Sequence, residues 1–242
     1  RISGVQGSAI REIFKYGNRP EVISLAGGNP APELFPSKEF AEILAEILAK
    51  KPTEALQYGV TEGYAPLREY VKKFIAERED IGRDFDETII VSGGQQGIDL
   101  ATKVLVNEGD AVIVEEPSFI GALNAFRAYG AKLVGVPVKS DGMDIEILEK
   151  KLNETENVKI IYTIPTFQNP SGVTMSAEKR KKLYALAKKH GVVIIEDNPY
   201  GELTFDGSKV PTIKSGDDEG VVLYSGSFSK ILTPGIRVGY IT

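Results

Sequence analysis

The chain has 242 residues, 42 % of them hydrophobic, and a formal net charge of −5 from 29 basic and 34 acidic side chains. That balance excludes a disordered chain and argues against a nucleic-acid partner, which needs a basic face. Cysteine is absent and His190 is the one histidine, so there is no disulfide framework, thiolate nucleophile, Fe–S centre or His-rich zinc site.

In chain order, residues 3–16 can form a short helix, and the Gly/Pro-rich segment 26–32 must be irregular. A helix is expected with Ser37 as N-cap and Phe40, Ile43, Leu44, Ile47 and Leu48 on one face. Another runs over 64–79 with Leu67, Val71, Phe74 and Ile75 inward. From residue 87 strands and helices alternate. Strands are expected at 88–91, 111–114, 132–138, 159–164, 192–196, 221–225 and 237–241, and helices at 95–107, 120–129, 144–152 and 177–190. Continuous apolar strands such as Val192-Val193-Ile194-Ile195 indicate a sheet covered on both faces. The alternation indicates an α/β fold whose large domain has three layers around a mostly parallel, doubly wound sheet. Ligands of such sheets sit at the carboxyl ends of the strands. No apolar run approaches the roughly 20 residues that span a bilayer, and the expected compartment is cytoplasmic.

The polar motifs fall at those strand ends. Ser92-Gly93-Gly94-Gln95-Gln96-Gly97 joins a strand to a helix. Its glycines allow close approach to the backbone and the helix start offers N–H groups, which suits a phosphate, although an ordinary tight turn reads the same way. Asn169, in Thr166-Phe167-Gln168-Asn169-Pro170-Ser171-Gly172, precedes proline and is held extended or in a turn. Asp197, in Glu196-Asp197-Asn198-Pro199-Tyr200, ends the most apolar strand. A carboxylate there needs a partner, and a cationic ring nitrogen would serve. Lys230, in Ser225-Gly226-Ser227-Phe228-Ser229-Lys230, is a Schiff-base candidate if held in a cleft, and Arg237 follows seven residues later. Ser227 to Lys230 also spells S-x-x-K, but neither S-D-N nor K-T-G accompanies it.

Taken together and in this order, the motifs resemble those of fold-type I pyridoxal-phosphate enzymes, specifically the class I/II aminotransferases. Ser24-Leu25-Ala26-Gly27-Gly28-Asn29-Pro30, Phe35-Pro36, Leu56-Gln57-Tyr58 and Glu62-Gly63 are most similar to the branch holding 2-aminoadipate and kynurenine aminotransferases. The resemblance implies pyridoxal 5'-phosphate as cofactor and no metal. It implies catalytic roles for Lys230, Asp197 and Tyr200: Lys230 forms the Schiff base and moves the substrate proton, Asp197 pairs with the ring nitrogen, and Tyr200 and Asn169 bond the ring oxygen. Phe119 would stack on the ring. Gly94, Gln95, Ser227 and Arg237 would hold the phosphate, with Gly94 standing where relatives often have serine, so one side-chain contact is lost. Tyr58 would reach the phosphate of a neighbouring subunit, making the working form a homodimer. Gly28, Asn169 and Arg11 would line the substrate side, with Arg11 meeting a distal carboxylate.

The implied reaction is ping-pong transfer of an amino group from an amino acid, such as 2-aminoadipate or an aromatic one, to a 2-oxo acid such as 2-oxoglutarate. A β-lyase on the same cofactor, or the sensor domain of a transcription regulator, is the alternative. The expected organisation is an N-terminal segment over residues 1–40, belonging to a small domain, and a cofactor-binding large domain over 41–242. Family members run to roughly 400 residues, so the C-terminal part of the small domain, with the arginine that clamps the substrate α-carboxylate, is expected to be missing from this chain.

Overall fold

The computed structural model describes residues 19, 21–23 and 27–242. Contacts divide the chain into two units, residues 2–59 and 60–242, and the expected boundary at 40/41 falls inside the first. The first unit contains α1 (Ser37–Lys50) and α2 (Pro52–Leu56). Ser37 is the first helical residue of α1 and not its cap; Pro36 occupies the cap position and no side chain caps the helix. None of α1 is buried, and Ile43, Leu44, Ile47 and Leu48 are exposed.

The second unit is built on eight strands: β1 (Ile89–Val91), β2 (Ala111–Glu116), β3 (Lys132–Lys139), β4 (Gly142–Met143), β5 (Val158–Thr163), β6 (Val193–Asp197), β7 (Val222–Ser227) and β8 (Gly239–Ile241). Their order in the sheet is β1-β8-β7-β6-β5-β2-β3-β4. The centre, β7-β6-β5-β2-β3, is parallel, whereas β4 and β8 pair antiparallel with their neighbours. Because β8 is antiparallel to both β7 and β1, β1 points the same way as the parallel strands. The carboxyl ends of β1, β2, β5, β6 and β7 therefore share one edge.

The helices are α3 (Ala65–Glu79), α4 (Gly94–Leu105), α5 (Ile120–Ala128), α6 (Ile145–Glu154) and α7 (Ala177–His190). Two have caps written in the sequence. Asp144 accepts from the backbone N–H groups of Glu146 and Ile147 at α6, and Ser176 accepts from that of Lys179 at α7. Gly191 ends α7 in the left-handed conformation, φ 64°.

The strand period of two sorts the apolar side chains onto two faces. Val112, Val114, Ile160, Tyr162 and Ile195 pack with Ile98 and Ala101 of α4 and with Ala122, Ala125 and Phe126 of α5. Ile113, Ile161, Ile194 and Val222 pack on the other face with Leu148 and Leu152 of α6 and Leu183, Leu186 and Ala187 of α7. This is the expected three-layer α/β arrangement around a mostly parallel sheet. A third cluster joins Val71 and Ile75 of α3 to Ile81, Tyr224 and Tyr240, with Leu67 and Phe74 packed against it.

Candidate active site

The sheet places the candidate residues at its shared edge. Asp197 ends β6 and is buried. Its Oδ2 accepts a hydrogen bond of 2.8 Å from the hydroxyl of Tyr162, which is fully buried on neighbouring β5. Burial pushes the Asp197 carboxyl from its ordinary 3.8 up to about 6, against the lowering effect of Tyr162 and, more weakly, of Ser225. The Ser225 hydroxyl is itself buried and makes no hydrogen bond of normal geometry. The phenol of Tyr162 is raised well above 10, by burial first and then by the neighbouring Asp197 charge, so it stays a donor. Its ring meets Phe126 edge-on, with centroids 5.5 Å apart, which fixes the hydroxyl's direction.

Next to β6, the turn after β5 carries Asn169, whose Nδ2 donates to the Tyr200 hydroxyl at 3.3 Å. Tyr200 follows Asp197 by three residues, and its phenol is raised by burial and lowered by the Asn169 contact. On the other side, β7 ends at Ser227. The hydroxyl of Ser227 donates to that of Ser229 at 2.8 Å and accepts from the Ser229 backbone N–H at 3.1 Å, curling the chain into the turn that carries half-buried Lys230.

Arg237 and the start of α4 form the last part. Gly93 holds the cap position of α4 with φ 76°, and no side chain caps the helix. Arg237 has φ 53°, and its Nη2 donates to the Ser92 carbonyl at 3.2 Å. The guanidinium crosses Gly93 so closely that a Cβ there would lie 2.7 Å from Cζ, so a side chain at 93 would displace Arg237 and strain the backbone. The result is a cation set over a helix N-terminus, which is favourable for a dianionic phosphate. A Cβ on Gly94 would lie 3.8 Å from Asp197 Oδ1, so this anion site adjoins the buried carboxylate. The side chain of Gln95 turns away, its Nε2 donating to the Gly121 carbonyl at 3.0 Å. Phe119, just before α5, packs on the same cluster as Tyr200.

Gly94, Gln95, Phe119, Asn169, Asp197, Tyr200, Ser227, Lys230 and Arg237 thus all lie in segments that adjoin strand ends of this sheet, with Asn169 against Tyr200 and Gly94 near Asp197. Gly28 and Tyr58 belong to the 2–59 unit and are exposed, Tyr58 to 99 %. Arg11 lies outside the described residues. Tyr162, Ser225, Glu115 and Gln168 escaped sequence reasoning. The available signal was a phenol or carboxylate inside an otherwise apolar strand, since such a group must find a partner. Among the described residues there is no cluster of His, Cys, Asp or Glu fit for a metal, and no helix long and apolar enough to cross a membrane.

These residues fit pyridoxal 5'-phosphate. The group offers a phosphate for the Arg237–α4 site, a protonatable ring nitrogen for a buried carboxylate with no ion pair among the described residues, a ring oxygen for the Asn169–Tyr200 pair, and a carbonyl for an amine.

The fold and this edge define a pyridoxal-phosphate type of α/β domain. The chain belongs to the aminotransferase class I and II family, which it matches over residues 20–242. It is 48 % identical over 242 residues to an aromatic-amino-acid aminotransferase of Thermococcus litoralis, covering 98 % of this chain and 58 % of that protein. It is 43 % identical to a 2-aminoadipate transaminase of Thermus thermophilus, again over 98 % of this chain and 58 % of the relative. Among solved structures, a Pyrococcus horikoshii kynurenine aminotransferase in complex with PMP matches with a TM-score of 0.93 and 44 % identity, over 99 % of this chain and 60 % of that one. The chain therefore spans somewhat less than two thirds of the length of these relatives.

Proposed function

We propose that the protein is a pyridoxal-phosphate-dependent aminotransferase that moves an amino group from an amino acid to a 2-oxo acid by a ping-pong mechanism. The observation that carries this reading is Asp197: a buried carboxylate, braced by Tyr162 at the edge of the sheet, beside an anion site and a lysine-bearing turn. When bound, the cofactor supplies an electrophilic carbonyl carbon and an electron-accepting ring.

This chain's residues do the rest. Arg237 and the first turn of α4, Gly94 and Gln95, hold the phosphate with Ser227. Asp197 pairs with the ring nitrogen and keeps it protonated, which in turn returns the carboxylate to its ionised form despite burial. Asn169 and Tyr200 bond the ring oxygen, and Phe119 covers a ring face. Lys230 Nζ would take the proton from the substrate's α-carbon and pass it to the cofactor, and carry it the other way in the second half of the reaction.

Gly28, Asn169 and Arg11 are assigned to the substrate side, residues 1–40 to a small domain and 41–242 to the cofactor-binding domain. The donor class includes 2-aminoadipate and aromatic amino acids, and the acceptor is a 2-oxo acid such as 2-oxoglutarate. The relatives named for aromatic amino acids, 2-aminoadipate and kynurenine support that range. The working form is a cytoplasmic homodimer in which the exposed phenol of Tyr58 reaches the neighbouring site.

The test uses the full-length protein with pyridoxal phosphate, a panel of amino donors and 2-oxoglutarate. Turnover that requires the acceptor, a visible absorption band that responds to donors, and loss of turnover in Lys230→Ala are expected. Retained turnover in that variant overturns the assignment, and turnover without an acceptor would mark a lyase.

A further inference from the structure

Glu115 sits on β2 next to its last residue and is buried. Aminotransfer as described above makes no use of it. Its Oε1 accepts from the Thr163 hydroxyl at 2.6 Å, and its Oε2 from the Ile164 backbone N–H and from Gln168 Nε2, both at 3.1 Å. Gln168 is buried too and has partners at both ends of its amide. Its Nε2 also donates to the Pro117 carbonyl at 2.8 Å, and its Oε1 accepts from the Ser171 N–H at 2.8 Å and hydroxyl at 2.6 Å.

One carboxylate and one amide therefore tie together two loops that leave adjacent strands. The first, after β2, leads through Pro117 to Phe119. The second, after β5, carries Asn169 next to Gln168. An apolar pair would fill the same space without burying a carboxylate, so what the polar pair adds is directional: it admits a single arrangement of the two loops.

We propose that Glu115 and Gln168 are positioning residues, a buried clamp that holds Asn169 against Tyr200 and Phe119 beside them, and so sets how firmly the ring oxygen of the cofactor is bound. The inference rests on the cofactor reading above and concerns residues that do not themselves touch the cofactor.

Glu115→Leu tests it in the full-length protein. It leaves Ile164 N–H and Gln168 Nε2 without their acceptor at a modest change of volume, so the clamp loosens. With pyridoxal phosphate bound, the pH midpoint of the visible absorption band should rise by about half to one unit, the size of one weakened hydrogen bond. The dissociation constant of the cofactor, titrated into the cofactor-free protein, should rise about tenfold.

The decisive measurement is the same substitution in an Asn169→Ala background. If Glu115 acts through Asn169, the midpoint should there move by less than about a quarter of that amount, because the two effects share one path. Equal shifts in both backgrounds, or no shift in either, overturn the clamp. Ser171→Ala, at an exposed position, removes one donor from Gln168 and covers the case in which Glu115→Leu does not fold. It should move the midpoint upward by a smaller amount, and an unmoved midpoint also overturns the clamp. A wild-type protein with no visible band would instead overturn the cofactor reading itself.

Discussion

Glu196 and Asp197 are neighbours on β6, both buried, and the pleat sends them to opposite faces of the sheet. Glu196 lies on the α6–α7 side and is fully engaged: its two oxygens accept from the backbone N–H groups of Ile213 and Lys214 at 2.9 and 2.8 Å. Asp197 lies on the α4–α5 side, where Tyr162 gives one firm hydrogen bond and the remainder of the carboxylate faces Ser225 and the turn at Gly94. Burial raises both, Glu196 to about 7 and Asp197 to about 6. The same chemical group, buried in both places, is structural where the backbone completes its bonding and suited to a ligand where it does not.

The contrast is sharpest under crossed substitutions. Asp197→Asn should lower kcat by about 100-fold or more, while Glu196→Gln should leave kcat of the folded enzyme within about threefold. A comparable loss in both would erase the distinction.

Stability should separate the two as well. Glu196→Gln also removes a buried charge, but it sets an NH2 group against a backbone donor at a cost of about 1–3 kcal/mol, so its net gain in chemical denaturation should be smaller than that of Asp197→Asn. Asp197→Asn in cofactor-free protein should stabilise. A carboxyl whose folded pKa is raised binds protons more tightly when folded, so ionising it at neutral pH opposes folding. With Asp197 raised from 3.8 to about 6, the gain should approach about 3 kcal/mol at pH ~8 and vanish below pH ~4. A gain that persists in acid would show that the effect is not the charge.

Gly93→Ala probes the anion site beside Asp197. It places a Cβ against the Arg237 guanidinium at a φ of 76°, and should weaken pyridoxal-phosphate binding about tenfold in fluorescence titration. Unchanged affinity would separate Arg237 from the phosphate.

The least site-specific effect is the pH trend of the wild-type protein without cofactor. Burial raises Asp197 to about 6 and Glu115 and Glu196 to about 7, so these groups stabilise the fold in mild acid and lose that contribution as pH rises through about 4 to 7. The thermal midpoint should fall across that window, and less so in Asp197→Asn.

Much of this molecule was legible in the sequence. Strand and helix periods differ, so the alternating runs from residue 87 onward marked the α/β fold, and Asp144, Ser176 and Gly191 marked helix ends through local hydrogen-bonding and φ preferences. Punctuation by Gly, Pro and Asn after strands put Gly94, Asn169, Asp197, Ser227 and Lys230 at strand ends. The cap assigned to Ser37 failed because Pro36 takes that position, and proline sets its own backbone without offering a side-chain acceptor.

Only the tertiary structure decided which strands are neighbours. Strand order arises from non-local pairing, which no local period encodes, and it is what sets Tyr162 against Asp197, 35 residues apart, and Gln168 against Glu115, 53 apart. It also brings Arg237 over Gly93, through two antiparallel pairings of β8. The sequence by itself determined which residues could do chemistry and that they end strands. The order of those strands, and with it which buried carboxylate is satisfied and which is left to receive a ligand, came from packing the sheet between its two layers of helices.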